Sequence, residues 1–329
     1  MRIPSAACGL YGLRPSYHRI AYRGAVNSMI GQDAIPSVAG PLANSLEALK
    51  IFMKAVLGAQ PWLKDPLVLR KPWDDGAYRL DEHGGGAKLC FGMMWDDGSY
   101  KTTPPLRRAM EMTKQALLAA GHEVVDWHPL HHQELVAIAR EIWVADNGED
   151  FRAALASTGE PLLTSMLPDL AAHPPIPDGK TYSAYGLWQL HARKTQLRDE
   201  YCDHWNASVA ATTTGRPVDA IISPATPFPA PPHGLYGLYM CSEMEVFNVL
   251  DFPAAVIPVT RVDPELDVPA EKHDFRNIQD QLIYEMYTPE KFENAPVGLQ
   301  VVGRTQEEEA VIAMAEVVDA AVKAYKWLE

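Results

Sequence analysis

The stretch Leu89-Cys90-Phe91-Gly92-Met93-Met94-Trp95 is a short apolar run between Gly86 and the turn residues Asp96-Asp97-Gly98, the pattern of a buried strand. After it, Pro104-Pro105 opens a periodic segment with Leu106, Ala109, Met110, Thr113 and Leu117 on one face, closed by Gly121. Proline at a helix start and glycine just past its end fit a helix. His122-Glu123-Val124-Val125-Asp126-Trp127 then reads as a second strand. Strand, helix, strand is a βαβ unit, which requires parallel pairing in an α/β sheet.

Upstream, Leu46, Leu49, Met53, Val56 and Leu57 recur at helical spacing after Gly40-Pro41, with Asn44 or Ser45 placed to cap the helix. Before that, Cys8-Gly9-Leu10-Tyr11-Gly12-Leu13-Arg14-Pro15 reads as turns and short extended pieces, with regular structure expected only afterwards. Downstream, residues 133–144 and 187–209 read as helices flanking a proline-interrupted surface stretch over 161–178. Residues 220–223, 254–260 and 297–303 read as strands apolar on both faces, as in a sheet covered by helices. Thr305-Gln306-Glu307-Glu308 has the spacing of a capping box ahead of a closing helix with Val311, Met314, Val318 and Ala321 inward. The 329 residues, 47% hydrophobic and 22% charged, suffice for one large core, and no linker divides them, so residues 1–329 are read as one domain.

The formal net charge of −13 excludes a phosphate-backbone partner, because nucleic-acid binding needs an excess of Lys and Arg. No apolar run reaches the length of a membrane span. The four cysteines, Cys8, Cys90, Cys202 and Cys241, form no C-x-x-C pair and are read as reduced thiols of a cytoplasmic protein, with Cys8 a buried small residue.

Three local motifs invite chemistry and lose to simpler readings. His83-Gly84-Gly85-Gly86 imitates an esterase oxyanion loop, but no G-x-S-x-G elbow accompanies it. His122-Glu123 with His128, His131, His132 and Glu134 gathers metal-ligand types, yet H-E-x-x-H would need a histidine where Asp126 stands; no metal and no cofactor are expected. The run Ser223-Pro224-Ala225-Thr226-Pro227-Phe228-Pro229 leaves a strand end, where open α/β sheets place ligands, but read alone a rigid connector is the favoured reading of its prolines.

Several stretches taken together are more specific. Met1-Arg2-Ile3-Pro4-Ser5-Ala6-Ala7-Cys8-Gly9-Leu10-Tyr11-Gly12-Leu13-Arg14-Pro15-Ser16 resembles the segment that follows the catalytic serine in amidase-signature enzymes, where the pattern runs GGSIRIPAAFCGLYGLRPS. Ser37-Val38-Ala39-Gly40-Pro41-Leu42-Ala43-Asn44-Ser45, Phe247-Asn248-Val249-Leu250-Asp251-Phe252-Pro253-Ala254 and Pro296-Val297-Gly298-Leu299-Gln300-Val301-Val302-Gly303-Arg304 are similar to further family segments, in family order, closest in flavour to the fungal acetamidase and general amidase branch.

The resemblance implies an α/β/α layered fold with a mixed central sheet, its N-terminal part missing, and hydrolysis of a carboxylic amide to the acid plus ammonia or an amine. The family uses a buried lysine base, a bridging serine and a nucleophilic serine, with an oxyanion hole in the glycine-rich turn before the nucleophile. Aligned on Arg2-Ile3-Pro4, all of these fall before Met1. This chain is therefore expected to have no catalytic residue and no activity of its own, and to expose apolar surface where the preceding segment would pack. Arg2 is expected to support the nucleophile turn, and Thr226 and Asn248 to line a substrate channel. The competing reading is a non-catalytic pseudoenzyme, an interaction module that pairs with itself as a homo-oligomer or with a full-length paralogue.

Overall fold

The computed structural model describes residues 1–161, 182–232 and 242–325. In chain order the elements are helix α1 (Arg2–Cys8), strands β1 (Tyr11–Arg14) and β2 (Leu42–Ala43), α2 (Leu46–Gly58), α3 (Asp75–Tyr78), β3 (Cys90–Met93), α4 (Pro104–Ala119), β4 (Glu123–Asp126), α5 (His132–Trp143), α6 (Glu149–Thr158), α7 (Ala184–Ala207), β5 (Ala220–Pro224), α8 (Ser242–Leu250), β6 (Ala254–Arg261), α9 (Ile278–Met286), β7 (Pro296–Val302) and α10 (Glu308–Ala324). Among the described residues the strands form one sheet in the order β2-β1-β6-β7-β5-β3-β4. The β3-α4-β4 unit is parallel as the sequence implies, and β5 is parallel to β3, whereas β5–β7, β6–β7 and β1–β6 are antiparallel. The sheet is mixed.

Period-two alternation sorts side chains onto two faces. Leu13, Ala255, Ile257, Leu299, Val301, Ala220, Ile222, Phe91 and Met93 join the buried faces of α2, α4, α9 and α10 in one core. Cys90, Ile221, Ala254 and Val302 point the other way, into a core with α5, α7 and α8. The architecture is thus α/β/α.

Several local expectations hold. Ser45 caps α2, its Oγ accepting from Ala48 N at 3.2 Å, and Leu46, Leu49, Met53 and Leu57 are buried. The Pro-rich loop does leave the end of a strand, β5. Residues 162–178 of the expected surface stretch, and Cys241, lie outside the described residues.

Three expectations are corrected. Regular structure begins at Arg2, with α1, rather than after Pro15. Gly9, at φ 65°, is the left-handed residue that ends α1, and Leu10 N–H donates back to Ser5 O at 2.9 Å, a glycine-terminated helix that leads directly into β1. Cys8 is exposed, not buried, because α1 turns its other face to the sheet. The capping box before α10 does not form: Gln306 is left-handed at φ 68°, and Glu307 carries no cap but accepts from Arg304 N–H at 3.2 Å. The inward residues Val311, Met314, Val318 and Ala321 are buried as expected.

Two glycines explain why α1 can lie flat on the sheet. A Cβ on Gly12 would sit 2.0 Å from Ser5 Oγ, and one on Gly298 would sit 3.2 Å from Ala6 Cα. Gly12 leaves room for the Ser5 side chain and Gly298 lets the α1 backbone at Ala6 approach β7, because these positions lack side chains.

Candidate functional site

The faces of β1, β6 and β7 that carry Gly12, Val256, Gly298 and Gln300 receive α1. Ala6 packs there with Val256 and with Ala225, the first residue of the loop after β5. Arg2, one turn earlier and 4% exposed, reaches into the space between β7 and α8. Its Nη1 donates to Gln300 Oε1 at 2.9 Å, and its Nη2 donates to Met244 O at 2.8 Å and to Asn248 Oδ1 at 2.6 Å. Gln300, fully buried, has its amide orientation fixed at both ends, since Nε2 donates to Ser223 Oγ and to Pro224 O, each at 3.0 Å. A single network therefore ties the start of α1 to α8 and to the end of β5. Charge-assisted hydrogen bonds in such a dry setting are strong and hold their geometry.

Asn248 is held from two sides, for Tyr17 O–H donates to its carbonyl. The turn after it is built by Asp251, a non-glycine residue at φ 61° of the kind that tolerates the left-handed region. Phe252 N–H donates to Phe247 O at 3.0 Å to close α8, and Pro253 follows. Asp251 Oδ1 accepts from Arg14 Nη1 at 3.1 Å and from Tyr17 N–H at 2.7 Å. Burial nevertheless pushes its carboxyl above the usual carboxylate range, outweighing the Arg14 charge and the Tyr17 N–H that pull it down.

Two of the three expected site residues, Arg2 and Asn248, are thus in direct contact. Thr226 lies in the loop that begins at Ala225 but makes no hydrogen bond to this network: its hydroxyl donates to Phe228 O at 2.6 Å. That loop is anchored at its far side by Thr103, whose N–H and hydroxyl both donate to Pro227 O. Sequence reasoning missed Gln300. Its signal was present as the one polar side chain in the apolar run Pro296-Val297-Gly298-Leu299-Gln300-Val301-Val302, on the face opposite the Val297, Leu299 and Val301 stripe.

The serines near this network are committed to structure. Ser5 is fully buried and donates to Met1 O at 2.9 Å; Ser223, also fully buried, accepts from Gln300 and donates to Pro224 O. Ser45 is the α2 cap. The histidine-rich segment disperses: His131 Nε2 meets Glu200 Oε2 at 3.0 Å, and buried His132 pairs with the Tyr201 hydroxyl at 3.1 Å. Glu134 instead accepts from Arg193 Nε and Nη2, and no group of three metal-ligand side chains occurs among the described residues. His83 holds Asp219 Oδ1 at 2.9 Å. An open cleft of about 960 Å3 beside Arg108 and residues 258–265 contains none of Arg2, Thr226 or Asn248.

Comparison with known proteins bears on this geometry. The family model described as Amidase matches residues 1–312. The chain belongs to the amidase signature family. The acetamidase of Emericella nidulans is 36% identical over 320 residues, which are 96% of this chain and 56% of the acetamidase. A putative amidase of Schizosaccharomyces pombe is 36% identical over 322 residues, 97% of this chain and 56% of that protein. Among solved structures, a fatty acid amide hydrolase superposes with a TM-score of 0.86 at 30% identity, covering 98% of this chain and 54% of that one. A bacterial aryl acylamidase at 17% identity and TM-score 0.60 shares the fold. The chain spans about half the length of the amidases it matches. Among the described residues no helix is long and apolar enough to cross a membrane.

Proposed function

We propose that the whole protein hydrolyses a small or medium carboxylic amide to the acid and ammonia or an amine. In this reading residues 1–329 supply the sheet, the Arg2–Asn248–Gln300 network and the Pro-rich loop of the site. The lysine base, bridging serine and nucleophile come from residues other than these, and residues 1–329 alone do not turn over amides. The observation that carries the reading is the buried Arg2 guanidinium, which fixes the first turn of α1 to both α8 and Gln300. A nucleophile on the turn leading into α1 would be aimed by that anchor, and a nucleophile held within a fraction of an ångström of its productive position is what acyl transfer requires. Thr226 and Asn248, on the loop after β5 and on α8, are proposed to line the substrate channel. The choice of a small carboxamide leans on the acetamidase likeness. Exposed Val26, Ile30, Leu63 and Leu67 suit a surface that a preceding segment covers.

The test is complementation. The part of the Emericella nidulans acetamidase that precedes its match to Met1 is joined ahead of Met1, and ammonia release from acetamide is measured for the joined and the unjoined chains. Release by the joined chain alone is the expected result. Sustained release by residues 1–329 alone, or a folded joined chain without activity, contradicts the proposal.

A further inference from the structure

Beyond the C-terminal end of β7 lies a second pocket, about 470 Å3, between α7, the turn from α8 into β6 and the turn from β7 into α10. Because β5 runs antiparallel to β7, the Pro-rich loop leaves the sheet at the other end, so this pocket is separate from the network around Arg2. Its lining is unusual in charge. The Arg304 guanidinium lies 5.0 Å over the Trp205 ring and donates from Nη2 to Asn206 Oδ1 at 2.8 Å, leaving its remaining nitrogens uncommitted among the described residues.

Arg198 is half-buried and makes no hydrogen bond or ion pair with another described residue. The groups behind it are already engaged: Asp251 with Arg14 and Tyr17, and Lys194 with Ala34 O. A partly desolvated guanidinium without an acceptor is a strong anion receptor. Two carboxylates share the wall. Asp199 is exposed and unpaired among the described residues, and Glu307 uses only Oε2, for Arg304 N–H. Between the charges lies partly exposed Phe252, edge-on at 5.2 Å to Trp205, which is itself buried beneath Arg304 with its indole N–H spent on Val218 O.

A simple anion would meet the carboxylates and a simple cation the guanidiniums, whereas a zwitterion satisfies both pairs. We propose that this pocket binds a free α-amino acid with an apolar or aromatic side chain. Its carboxylate is taken by Arg198 and Arg304, its ammonium by Asp199 and Glu307, and its side chain lies on the accessible part of Phe252. The volume suits a ligand of that size, and the proposal is independent of the reaction proposed above.

Calorimetric titration of residues 1–329 with L-phenylalanine, with 3-phenylpropionate (carboxylate only) and with phenethylamine (ammonium only) tests it. The expected result is saturable one-to-one binding of phenylalanine, with each half-ligand weaker by about tenfold or more. Arg198→Met and Asp199→Asn should each weaken phenylalanine by about tenfold or more while both variants still melt cooperatively, and Asp199→Asn, at an exposed position, should leave the melting midpoint and 3-phenylpropionate binding unchanged. Equal affinity for the three ligands, no saturable binding of phenylalanine, or unchanged binding in Arg198→Met overturns the proposal.

Discussion

Replacing Arg2 by methionine isolates the anchor on which the proposed site depends. Methionine keeps most of the side-chain length, so the cavity left is small and the main effect is the loss of donors to Gln300 Oε1, Met244 O and Asn248 Oδ1. A buried acceptor left unsatisfied costs ~1–3 kcal/mol. Gln300 is fully buried and bears its full share, whereas only partly buried Asn248 regains water. Because the three acceptors are neighbours their costs do not add, and the net destabilisation expected is about 3–4 kcal/mol. Arg2→Lys keeps the charge and three N–H donors but gathers them on one nitrogen, whereas the acceptors are spread over Nη1 and Nη2 of the planar fork, so it should fall between. Urea unfolding followed by far-ultraviolet circular dichroism reads the shift as a lower midpoint at unchanged slope. In a Gln300→Leu background the cost of Arg2→Met should shrink by about 1–2 kcal/mol, the coupling expected of contacting residues. A shift under about 1 kcal/mol, or a lysine variant as damaged as the methionine variant, would refute the claim that the guanidinium fork organises this region.

Gly12→Ala places a Cβ 2.0 Å from Ser5 Oγ, against a hydroxyl held by Met1 O, and should cost about 2–3 kcal/mol in the same assay, with Gly24→Ala, which meets no neighbour, as the contrasting substitution. Arg19 is fully buried and paired with both Glu308 and Glu309; Arg19→Met should destabilise by about 3–5 kcal/mol, because two carboxylates lose their partner. Lys194 is pushed down to about 8, first by burial and then by the Arg198 charge. Between about 8 and its ordinary value of 10.5 the unfolded chain binds more protons at this site than the folded one, so the site's contribution to stability rises with pH across that window. The stability difference between wild type and Lys194→Met should therefore shift in favour of wild type from pH 8 to 10.5 and stay flat from pH 6 to 7.5; a flat difference throughout contradicts the assignment.

How much of this was legible in the sequence depends on range. The β3-α4-β4 unit, the Ser45 cap and the inward stripe of α10 are set by neighbours within a turn or two, and pattern reading found them. Helix α1 has no apolar period and contains Pro4. It is stabilised by glycine-permitted contact with β1 and β7, whose partners are distant in sequence, so local rules read it as turns. The capping box before α10 failed because Gln306 entered the left-handed region and Glu307 turned its carboxylate to Arg304, a choice that four-residue spacing does not encode. At the site, family likeness led to Arg2 and Asn248, but the contact between them spans 246 positions, and Gln300, the residue that joins them to β5, was visible only as a polar interruption in an apolar strand.

The proposed amide hydrolysis requires a nucleophile outside residues 1–329. A fluorophosphonate probe, which forms a covalent bond only with an activated serine hydroxyl, followed by peptide mass spectrometry, tests it directly on residues 1–329 and on the chain joined to the acetamidase segment. The account predicts no stoichiometric labelling of Ser5, Ser45, Ser223 or any other serine in residues 1–329, and stoichiometric labelling in the joined chain at the serine immediately ahead of Met1. Stoichiometric labelling of a serine within residues 1–329, with loss of amide hydrolysis when that serine is replaced, would contradict it.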